Sequence, residues 1–475
     1  MVNVNANMNA TAIARHRPVY HFMPPSGWMN DPNGPLFFEG QYHIFYQHNP
    51  FGDNWGNIHW GHARSRDLAH WEHLPEALSP SPELGEAHCF SGCAALDGEV
   101  PALLYTSVGE GERNARVGAV QCLARSVDGM RHWQKTPVLE NGIHDIHCGE
   151  TILEWRDPFL WKAKDGWHLL LGGSRNGYGC ITRYHSPNLT DWKYEGVFFE
   201  NRDFPFLECP NYLSFGPCFG ESGLLFYSPG SDVVWHSGRV NETGRFEAAR
   251  TGIMDNSGMM GFYAPNTLLN DPKKRYLTWG WITEAGRGGL SIPGYQGALS
   301  LPRELSLDEN GILLQKPAAE VEALFTEPVE QHACSLGGGG DKKERPFKTS
   351  GRELAIDLNA RCVPGDDFSL NVYCSPCGRE RTAVRYRAAT NEVILEKGLT
   401  SLSPEPSKDF QRAQLGPMTQ ALNLRVFIDH SVIEIFINGT NAITGRLYPM
   451  LPESEGISVS GRAARLDVSI RAAKV

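Results

Sequence analysis

A unit of roughly sixty residues recurs along the N-terminal part of the chain. The segments RSRDLAHW, RSVDGMRHW and HSPNLTDW end at Trp71, Trp133 and Trp192, and each runs from Ser through Asp or Asn to Trp. Five apolar runs keep the same step, and each is typical of a buried strand: YHIFYQ, PALLYTS, WHLLLGG, GLLFYSP and RYLTWGW. Several strands in each of five units predict a five-bladed β-propeller over residues 19–315, because solenoid repeats are shorter and the chain shows little helical period.

The pattern changes after residue 315. The segment LQKPAAEVEALF predicts a short helix in a linker over residues 316–330. Residues 331–475 contain segments such as RELAIDLNA, RTAVRYRA and LNLRVFIDHSVIEIFING, in which apolar and polar residues alternate. Alternation with a period of two is typical of half-buried antiparallel strands, so the sequence predicts a C-terminal β-sandwich and an all-β chain. Residues 1–18 are polar and rich in Asn, which predicts a disordered tail.

Charge and composition exclude several classes of partner. The chain has 44 basic and 54 acidic residues and a net charge of −10, without a basic run, so nucleic acid and anionic membrane are not expected partners. No apolar stretch is long enough to span a bilayer, and the N-terminus has no apolar signal core. Eleven scattered cysteines favour a reduced, cytoplasmic protein. Four Asn-x-Ser/Thr triplets weigh towards secretion, which stays open if a signal has been removed.

Three acidic residues open three of the predicted blades. Asp31 lies in WMNDPNG, Asp157 in RDPF and Glu208 in ECPN. Taken alone, Asp31 before Pro32 reads as a turn residue, Asp157 as the partner of a local ion pair, and Glu208 as a solvated loop residue. The innermost strands of a propeller face its axis, however, so acids at equivalent positions should meet in one funnel. Clustered carboxylates repel one another and are kept for a metal or for chemistry, and a carboxylate pair is the apparatus of glycoside hydrolysis.

At this point the sequence resembles glycoside hydrolase family 32, the invertases, inulinases, levanases and related fructosyltransferases. The resemblance runs nearly end to end, through HFMPPSGWMNDPNGP, FSGC, WRDPF, ECPN, GFYAPNT, RYLTWGWI, LSLPREL and FIDHSVIEIFINGT. It implies cleavage of terminal fructofuranosyl bonds with retention, on sucrose or short fructans, without a metal or other cofactor. Asp31 would be the nucleophile and Glu208 the acid/base, while Asp157 would stabilise the transition state. The implied substrate contacts are Asn30, Gln47, Trp55, Phe90, Ser91, Arg156, Tyr263, Trp281 and Tyr295.

Departures from the family pattern affect the expected specificity. Gly261 stands where an acid is common, Tyr295 where a Trp is common, and Cys93 where a small hydroxyl residue is usual. The first two positions are expected to border the outer part of the substrate site. They leave open which fructoside is preferred.

Other interpretations remain beside the hydrolase. A fructosyltransferase would pass the sugar to another sugar instead of water, and an inactive propeller would only bind saccharide, although all three acids are present. An arabinan hydrolase uses a similar set of acids but lacks these motifs. The segment HDIHCGE, residues 144–150, and the pair Cys374 and Cys377 lack the spacing of a metal site. The expected partner is a small saccharide, and the sequence leaves room for a homo-oligomer.

Overall fold

The computed structural model describes residues 15–109, 118–140, 146–216, 221–290, 292–337, 344–416 and 420–474. Its strands form an N-terminal ring of five blades and a C-terminal two-layer domain, so the prediction of an all-β propeller followed by a sandwich is confirmed. Within these residues, no helix is long and apolar enough to cross a membrane.

Each blade is built on an antiparallel sheet of four strands, which follow one another in the chain except in blade 5, where two short strands come between the second and the third. The strands of blades 1 to 3 are β1 Gly27–Phe38, β2 Gln41–Asn49, β3 His59–Ser65, β4 Trp71–Leu78, β5 His88–Asp97, β6 Val100–Val108, β7 Ala119–Arg125, β8 Gln134–Glu140, β9 Ile152–Ala163, β10 Gly166–Arg175, β11 Tyr178–Ser186 and β12 Lys193–Asn201. Those of blades 4 and 5 are β13 Glu208–Ser214, β14 Gly223–Ser228, β15 Val234–Val240, β16 Phe246–Ile253, β17 Phe262–Leu268, β18 Tyr276–Ile282, β21 Arg303–Leu307 and β22 Leu313–Pro317. The short 3₁₀ helices are Pro82–Leu84, Gly258–Met260, Ala285–Arg287 and Ala319–Leu324.

The five apolar runs of the sequence are the second strands of the five blades, β2, β6, β10, β14 and β18. They are almost entirely buried because both of their faces pack against neighbouring blades. The Ser-to-Trp segments connect the third and fourth strands of blades 1 to 3, at the outer edge. Their Trp side chains pack across blade boundaries, as Trp133 does against Phe45 and Trp71 against Trp279.

The ring closes between blades 5 and 1 through short segments of chain. Two short strands, β19 Tyr295–Gln296 and β20 Ala298–Leu299, precede β21. Strand β19 pairs in parallel with β1, and β20 pairs with β18. The Leu299 amide also donates a hydrogen bond of 2.8 Å to the carbonyl of Phe22. Backbone pairing therefore fastens the last blade to the first and fixes the inner end of β1.

The C-terminal domain has eleven strands in two layers: β23 Glu330–Leu336, β24 Glu344–Ser350, β25 Glu353–Arg361, β26 Asp367–Cys374, β27 Arg381–Arg387, β28 Glu392–Leu399, β29 Gln411–Gln414, β30 Ala421–Asp429, β31 Val432–Ile437, β32 Asn441–Arg446 and β33 Gly456–Ala472. The first part of β33 pairs with β24 and β26, and its second part pairs with β23 and β25. The change occurs near Gly461, whose φ is 105° and where a Cβ would lie 2.3 Å from the carbonyl of Asp367. One bent strand therefore belongs to both layers.

Buried charges join the two domains. Arg303 of β21 is fully buried, and its Nη2 donates to Asp255 Oδ2 at 2.8 Å and to Glu434 Oε2 of the sandwich at 2.6 Å. His21, ahead of the first blade, lies 3.0 Å from Asp429 and 3.1 Å from Glu434. Because every member of this network has a charged partner, the interface tolerates the burial of its charges.

The chain packs into the fold slightly before the predicted start of the propeller. Residues 1–14 lie outside the described part of the chain, whereas His16 is buried against Tyr448 of the C-terminal domain. The backbone carbonyl of Arg15 accepts a hydrogen bond from Arg352 Nη1 at 3.3 Å. Residues 15–18 are thus part of the packed structure, contrary to the expectation of a disordered tail up to residue 18. The glycine-rich stretch at 338–343 lies outside the described residues.

Candidate active site

The first strand of every blade carries a β-bulge near its inner end. At this point two residues of the first strand lie opposite one residue of the second and are left out of the ladder, whereas a regular strand pairs one residue with one. The unpaired residues are Asn30 and Asp31, Phe90 and Ser91, Asp157 and Pro158, Cys209 and Pro210, and Ala264 and Pro265. The backbone of Asp157, Cys209 and Ala264 has φ of 60°, 49° and 46°, a left-handed conformation that non-glycine residues adopt mainly where the fold demands it.

The bulges explain how the three acids meet although they do not share one position. Asp31 and Asp157 lie immediately before a proline, whereas Glu208 lies two residues before Pro210. In the ladders, Asp157 is the first and Asp31 the second of the two unpaired residues, whereas Glu208 precedes the unpaired pair and faces Ser228. The expectation of one equivalent position for all three was therefore wrong. Adjacent side chains of a regular strand point to opposite faces, and a bulge removes this constraint by turning the strand locally. Side chains from these different positions consequently reach the same cavity.

The cavity has a volume of about 460 Å³ and opens at the axis of the propeller. It is lined by the predicted residues Asn30, Asp31, Gln47, Trp55, Phe90, Arg156, Asp157, Glu208, Tyr263 and Trp281. The rest of its lining consists of Trp28, Glu154, Phe206, Cys209, Gly230, Met259 and Ala264.

Asp31 is held by neutral donors. Its Oδ1 accepts a hydrogen bond from Asn30 Nδ2 at 3.1 Å, and its Oδ2 accepts one from the Ser91 hydroxyl. Gln47 orders both donors, because its Oε1 accepts from Asn30 Nδ2 at 2.8 Å and its Nε2 donates to Ser91 Oγ. The Cys209 thiol also points at Asp31 Oδ2, at 3.6 Å. The carboxylate is thus fixed in orientation without a direct ion pair.

Asp157 lies next to Asp31 and is almost completely buried. Its Oδ2 accepts a hydrogen bond from the Cys209 amide at 3.1 Å and lies 3.6 Å from the Cys209 sulfur. Its own amide donates to the Thr106 hydroxyl of blade 2 at 3.0 Å. Since these contacts use Oδ2, the other carboxylate oxygen is left for a ligand.

Glu208 is held between a cation and a hydroxyl. Arg156 Nη2 donates to Glu208 Oε1 at 2.6 Å, and the Tyr263 hydroxyl donates to Oε2 at 2.6 Å. The Gly230 amide donates to the same Tyr263 oxygen at 2.6 Å, which fixes the hydroxyl in place. Arg156 also donates to Glu154 Oε2 at 2.6 Å and lies 3.8 Å from Asp157. The guanidinium therefore links three carboxylates.

Burial and crowding raise the pKa of both aspartates. The pKa of Asp31 rises to about 6, mainly because burial disfavours the charged form, and the negative charge of Glu208 adds to the effect, while the hydrogen bond from Ser91 opposes it. Burial raises the pKa of Asp157 to about 7 against the opposing charge of Arg156, and Glu208 and Asp31 add to the rise. Carboxylates with strongly perturbed pKa values in one cleft are typical of catalytic sites.

Aromatic side chains form the upper wall of the cavity. Trp55 is 52% exposed, and its ring lies 5.2 Å from that of His88 and 6.1 Å from that of Phe90. On the other side, the rings of Trp28 and Trp281 lie 5.9 Å apart, and Trp28 Nε1 donates to Asn30 Oδ1 at 2.9 Å. Such surfaces suit the apolar faces of sugar rings.

Four residues that the sequence singled out do not line the cavity. Ser91 lies beneath the floor of the cavity and donates a hydrogen bond to Asp31. Tyr295 is 1% exposed and packs in the core between blades 5 and 1, because β19 draws it into the ring closure, so its expected place at the outer substrate site was wrong. Gly261 also lies away from the cavity, since a Cβ there would lie 2.1 Å from the carbonyl of Thr444 in the sandwich. Cys93 is buried in an apolar cluster.

Sequence reasoning missed several residues of the lining. Glu154, Phe206 and Met259 carry no motif of their own, although Glu154 stands two residues before Arg156. Met259 reaches the cavity from the short 3₁₀ helix that leads into β17, and the hydroxyl of Thr283 donates to its carbonyl at 2.6 Å. Such residues are found only once the loops between blades are placed.

Two residues of the segment HDIHCGE, His147 and Glu150, have protein partners. His147 Nε2 lies 2.6 Å from the Tyr184 hydroxyl, and Glu150 accepts hydrogen bonds from Arg175 and Tyr194. His144 lies outside the described residues. Within the described chain, the ligand atoms of Asp165, His168 and His185 approach within 4.8 Å of one another, at the turn between β9 and β10. Asp165 and His168 already share a 3.0 Å hydrogen bond, and none of the three lines the cavity.

Comparison with known proteins covers both domains. The family model for the N-terminal domain of glycosyl hydrolases family 32 matches residues 21–317, and the model for the C-terminal domain matches residues 320–473. A sucrose-6-phosphate hydrolase of Escherichia coli is 32% identical over 95% of this chain and 94% of its own length. The crystal structure of fructan 1-exohydrolase IIa from Cichorium intybus is 25% identical, with a TM-score of 0.83 over 97% of this chain and 98% of that chain. A mutant of a Bombyx mori β-fructofuranosidase, in complex with sucrose, is 26% identical with a TM-score of 0.79 over 98% of this chain and 95% of that chain.

Proposed function

The chain belongs to glycosyl hydrolase family 32, and from this premise we propose that it is a retaining β-fructofuranosidase that hydrolyses sucrose and short fructans. Invertase-like glycosidase activity on saccharides follows from the family and its relatives. The finer proposal rests on one observation: Asp31, Asp157 and Glu208 line one cavity but have different sets of partners. These different partners support a different role for each carboxylate.

Asp31 is the nucleophile. One carboxylate oxygen bonds to the anomeric carbon of the fructosyl unit as the bond from that carbon to the glycosidic oxygen breaks. Hydrogen bonds from Asn30 and Ser91 hold the carboxylate in one orientation, which reduces the entropy lost on reaching the transition state. Because the contacts described for Asp31 include no cation, its charge remains available for the developing positive charge on the sugar.

Glu208 transfers the proton. As acid it protonates the departing glycosidic oxygen, and as base it then removes a proton from the water that attacks the anomeric carbon and releases Asp31. In the structure both of its oxygens accept hydrogen bonds, from Arg156 and Tyr263, which is the arrangement of the base. In the acid step one oxygen turns from these donors towards the leaving oxygen.

Asp157 does not react in this scheme. Its Oδ2 is held by the Cys209 amide, and its other oxygen accepts hydrogen bonds from fructose hydroxyls. Its negative charge beside the sugar stabilises the oxocarbenium-like transition state. Arg156 keeps this acid and Glu208 close together despite their repulsion.

Two variants and a matched control test the assignment. Asp31→Asn and Glu208→Gln should each lower sucrose hydrolysis by at least a thousandfold with thermal unfolding close to that of the wild type. Glu247→Gln is the control, because Glu247 lies in the same blade as Glu208 but forms an exposed ion pair with Arg239 at 3.4 Å. Near-normal turnover of either catalytic variant would contradict the proposal.

The stereochemistry is tested by trapping. With methanol present, a retaining enzyme releases methyl β-fructofuranoside, and NMR of the initial product identifies the anomer. Azide should restore activity to Glu208→Ala and give a β-fructosyl azide. An initial α-product would contradict the covalent intermediate. Growth of oligofructosides faster than free fructose at high sucrose would instead identify a fructosyltransferase on the same site.

A further inference from the structure

We propose that the cavity accepts fructosides with an uncharged aglycone and discriminates against those whose aglycone carries a phosphate. This inference rests on the proposed function and adds the charge of the preferred substrate. In this it differs from the Escherichia coli relative, which is a sucrose-6-phosphate hydrolase.

The wall of the cavity carries more negative than positive charge. The described lining contains four carboxylates, Asp31, Glu154, Asp157 and Glu208, and one guanidinium, Arg156. A phosphate monoester brings between one and two negative charges at neutral pH. A site that binds one normally supplies Arg, Lys or several backbone amides, and here acids outnumber the cation.

The guanidinium of Arg156 already forms ion pairs with carboxylates of the lining. Its Nη1 donates to Glu154 Oε2 at 2.6 Å and to the Glu154 carbonyl at 3.2 Å. Its Nη2 donates to Glu208 at 2.6 Å, and its Nε lies 3.8 Å from Asp157. A phosphate could reach the guanidinium only by displacing a carboxylate, and displacing Glu208 or Asp157 would disrupt the reacting groups.

The neutral donors of the cavity floor are also engaged, whereas in the outer wall the single indole N–H of Trp281 has no hydrogen-bond partner among the described residues. Trp28 donates to Asn30, Asn30 donates to Gln47 and Asp31, and Gln47 donates to Ser91. These donors hold the floor in place and are not free to coordinate an anion.

The outer wall of the cavity is mainly aromatic. Trp28, Trp55, Phe90, Phe206 and Trp281 provide apolar surface around the opening. An uncharged sugar ring gains from contact with such a surface, whereas a phosphate loses its hydration there without an ion pair in return. The combination of excess acid and aromatic surface therefore favours a neutral glucosyl or fructosyl aglycone.

Hydrolysis of sucrose and of sucrose 6-phosphate tests the proposal directly. We expect kcat/KM for sucrose to exceed that for sucrose 6-phosphate at least tenfold at pH 7.5 and low ionic strength. Glucose should likewise compete with sucrose better than glucose 6-phosphate does, which probes the aglycone position without turnover of the probe. Added sodium chloride should narrow the difference, because it screens the repulsion.

Substitution of Glu154 identifies the origin of the discrimination. Glu154→Gln removes an acid from the wall and releases Arg156 Nη1, so the ratio of kcat/KM for sucrose 6-phosphate to that for sucrose should rise at least threefold. Glu72→Gln is the matched control, since Glu72 forms an exposed ion pair with Arg64 at 2.7 Å in blade 1 and does not line the cavity. Its ratio should equal that of the wild type.

The possible outcomes distinguish failure of this proposal from failure of the proposed β-fructofuranosidase activity. Equal or faster hydrolysis of sucrose 6-phosphate, or an unchanged ratio in Glu154→Gln, would overturn the discrimination and leave the fructofuranosidase intact. Failure to release fructose from sucrose, sucrose 6-phosphate, inulin and levan would remove the proposed function, and the discrimination with it.

Discussion

The hydrogen bond from Ser91 to Asp31 should set the pH at which the enzyme loses activity in acid. Ser91→Ala removes the donor to Asp31 Oδ2. A hydrogen bond to a charged group is worth about 1.5–3 kcal/mol, and 1.36 kcal/mol corresponds to one pKa unit. The protonated carboxyl loses much less than the ionised one, so the pKa of Asp31, about 6 in the wild type, should rise by about one to two units.

The assay is kcat/KM for sucrose between about pH 5 and pH 9, reported as the ratio of variant to wild type. The nucleophile must be ionised, so activity falls as the pH drops through its pKa, and each unit of increase costs about tenfold on the acid side. The ratio should therefore be about 10 to 100 times lower at pH 5 than at pH 9. The ratio cancels the protonation of Asp157, whose pKa of about 7 contributes to the acid limb of both proteins.

A second buried serine provides the control. Ser237 Oγ donates to the carbonyl of Gly311 at 2.6 Å, between blades 4 and 5 and away from the cavity. Ser237→Ala should lower thermal stability but leave the acid limb in place. A Ser91→Ala ratio that is the same at every pH, or an acid limb that moves to lower pH, would refute the reasoning.

Three further predictions concern stability. The pKa of Asp157 is raised from 3.8 to about 7, so its ionisation costs about 4 kcal/mol of folding stability. This cost is absent below about pH 4 and is complete once the pH has risen through 7. Asp157→Asn should therefore abolish hydrolysis yet melt at a higher temperature than the wild type at pH 8, with little difference at pH 4. Gly261→Asp must push a Cβ against the Thr444 carbonyl, 2.1 Å away, and calorimetry should show a loss of about 1–3 kcal/mol. Arg303→Met leaves buried Asp255 without a charged partner and Glu434 with His21 alone, and it should cost about 3–5 kcal/mol in urea unfolding. Arg239→Met, at an exposed ion pair, should change the stability little.

The sequence predicts the blades well because their second strands are buried on both faces. Strands such as GLLFYS in β14 are apolar at nearly every position, and such runs are visible without any knowledge of partners. The acid-containing segments are visible because each stands shortly ahead of one of these runs, although Glu208 lies farther from its run than Asp31 and Asp157 do from theirs. Spacing therefore indicated that the three acids open blades, whereas their roles came from the motifs around them.

Features that depend on distant partners could not be predicted in this way. The two residues of β19 form a strand only because β1 provides an edge, and this pairing is what buries Tyr295. The bend of β33 at Gly461 is likewise set by two different neighbours. Local pattern determines which residues are buried, but it does not determine which edge or which cavity they meet.

The bulges at the inner ends of the blades separate the chemistry of the site from the strand pairing of the fold. The bulge residues, such as Asp31, Ser91 and Asp157, contribute no rung to the ladder between first and second strands. Substitutions there can change charge or shape at the axis while the five sheets keep their registers. The residue at a given bulge position therefore differs from blade to blade: blade 5 carries Ala264 where blade 3 carries Asp157. A substitution at Ala264 can thus change substrate specificity without a change in the strand pairing of the blades.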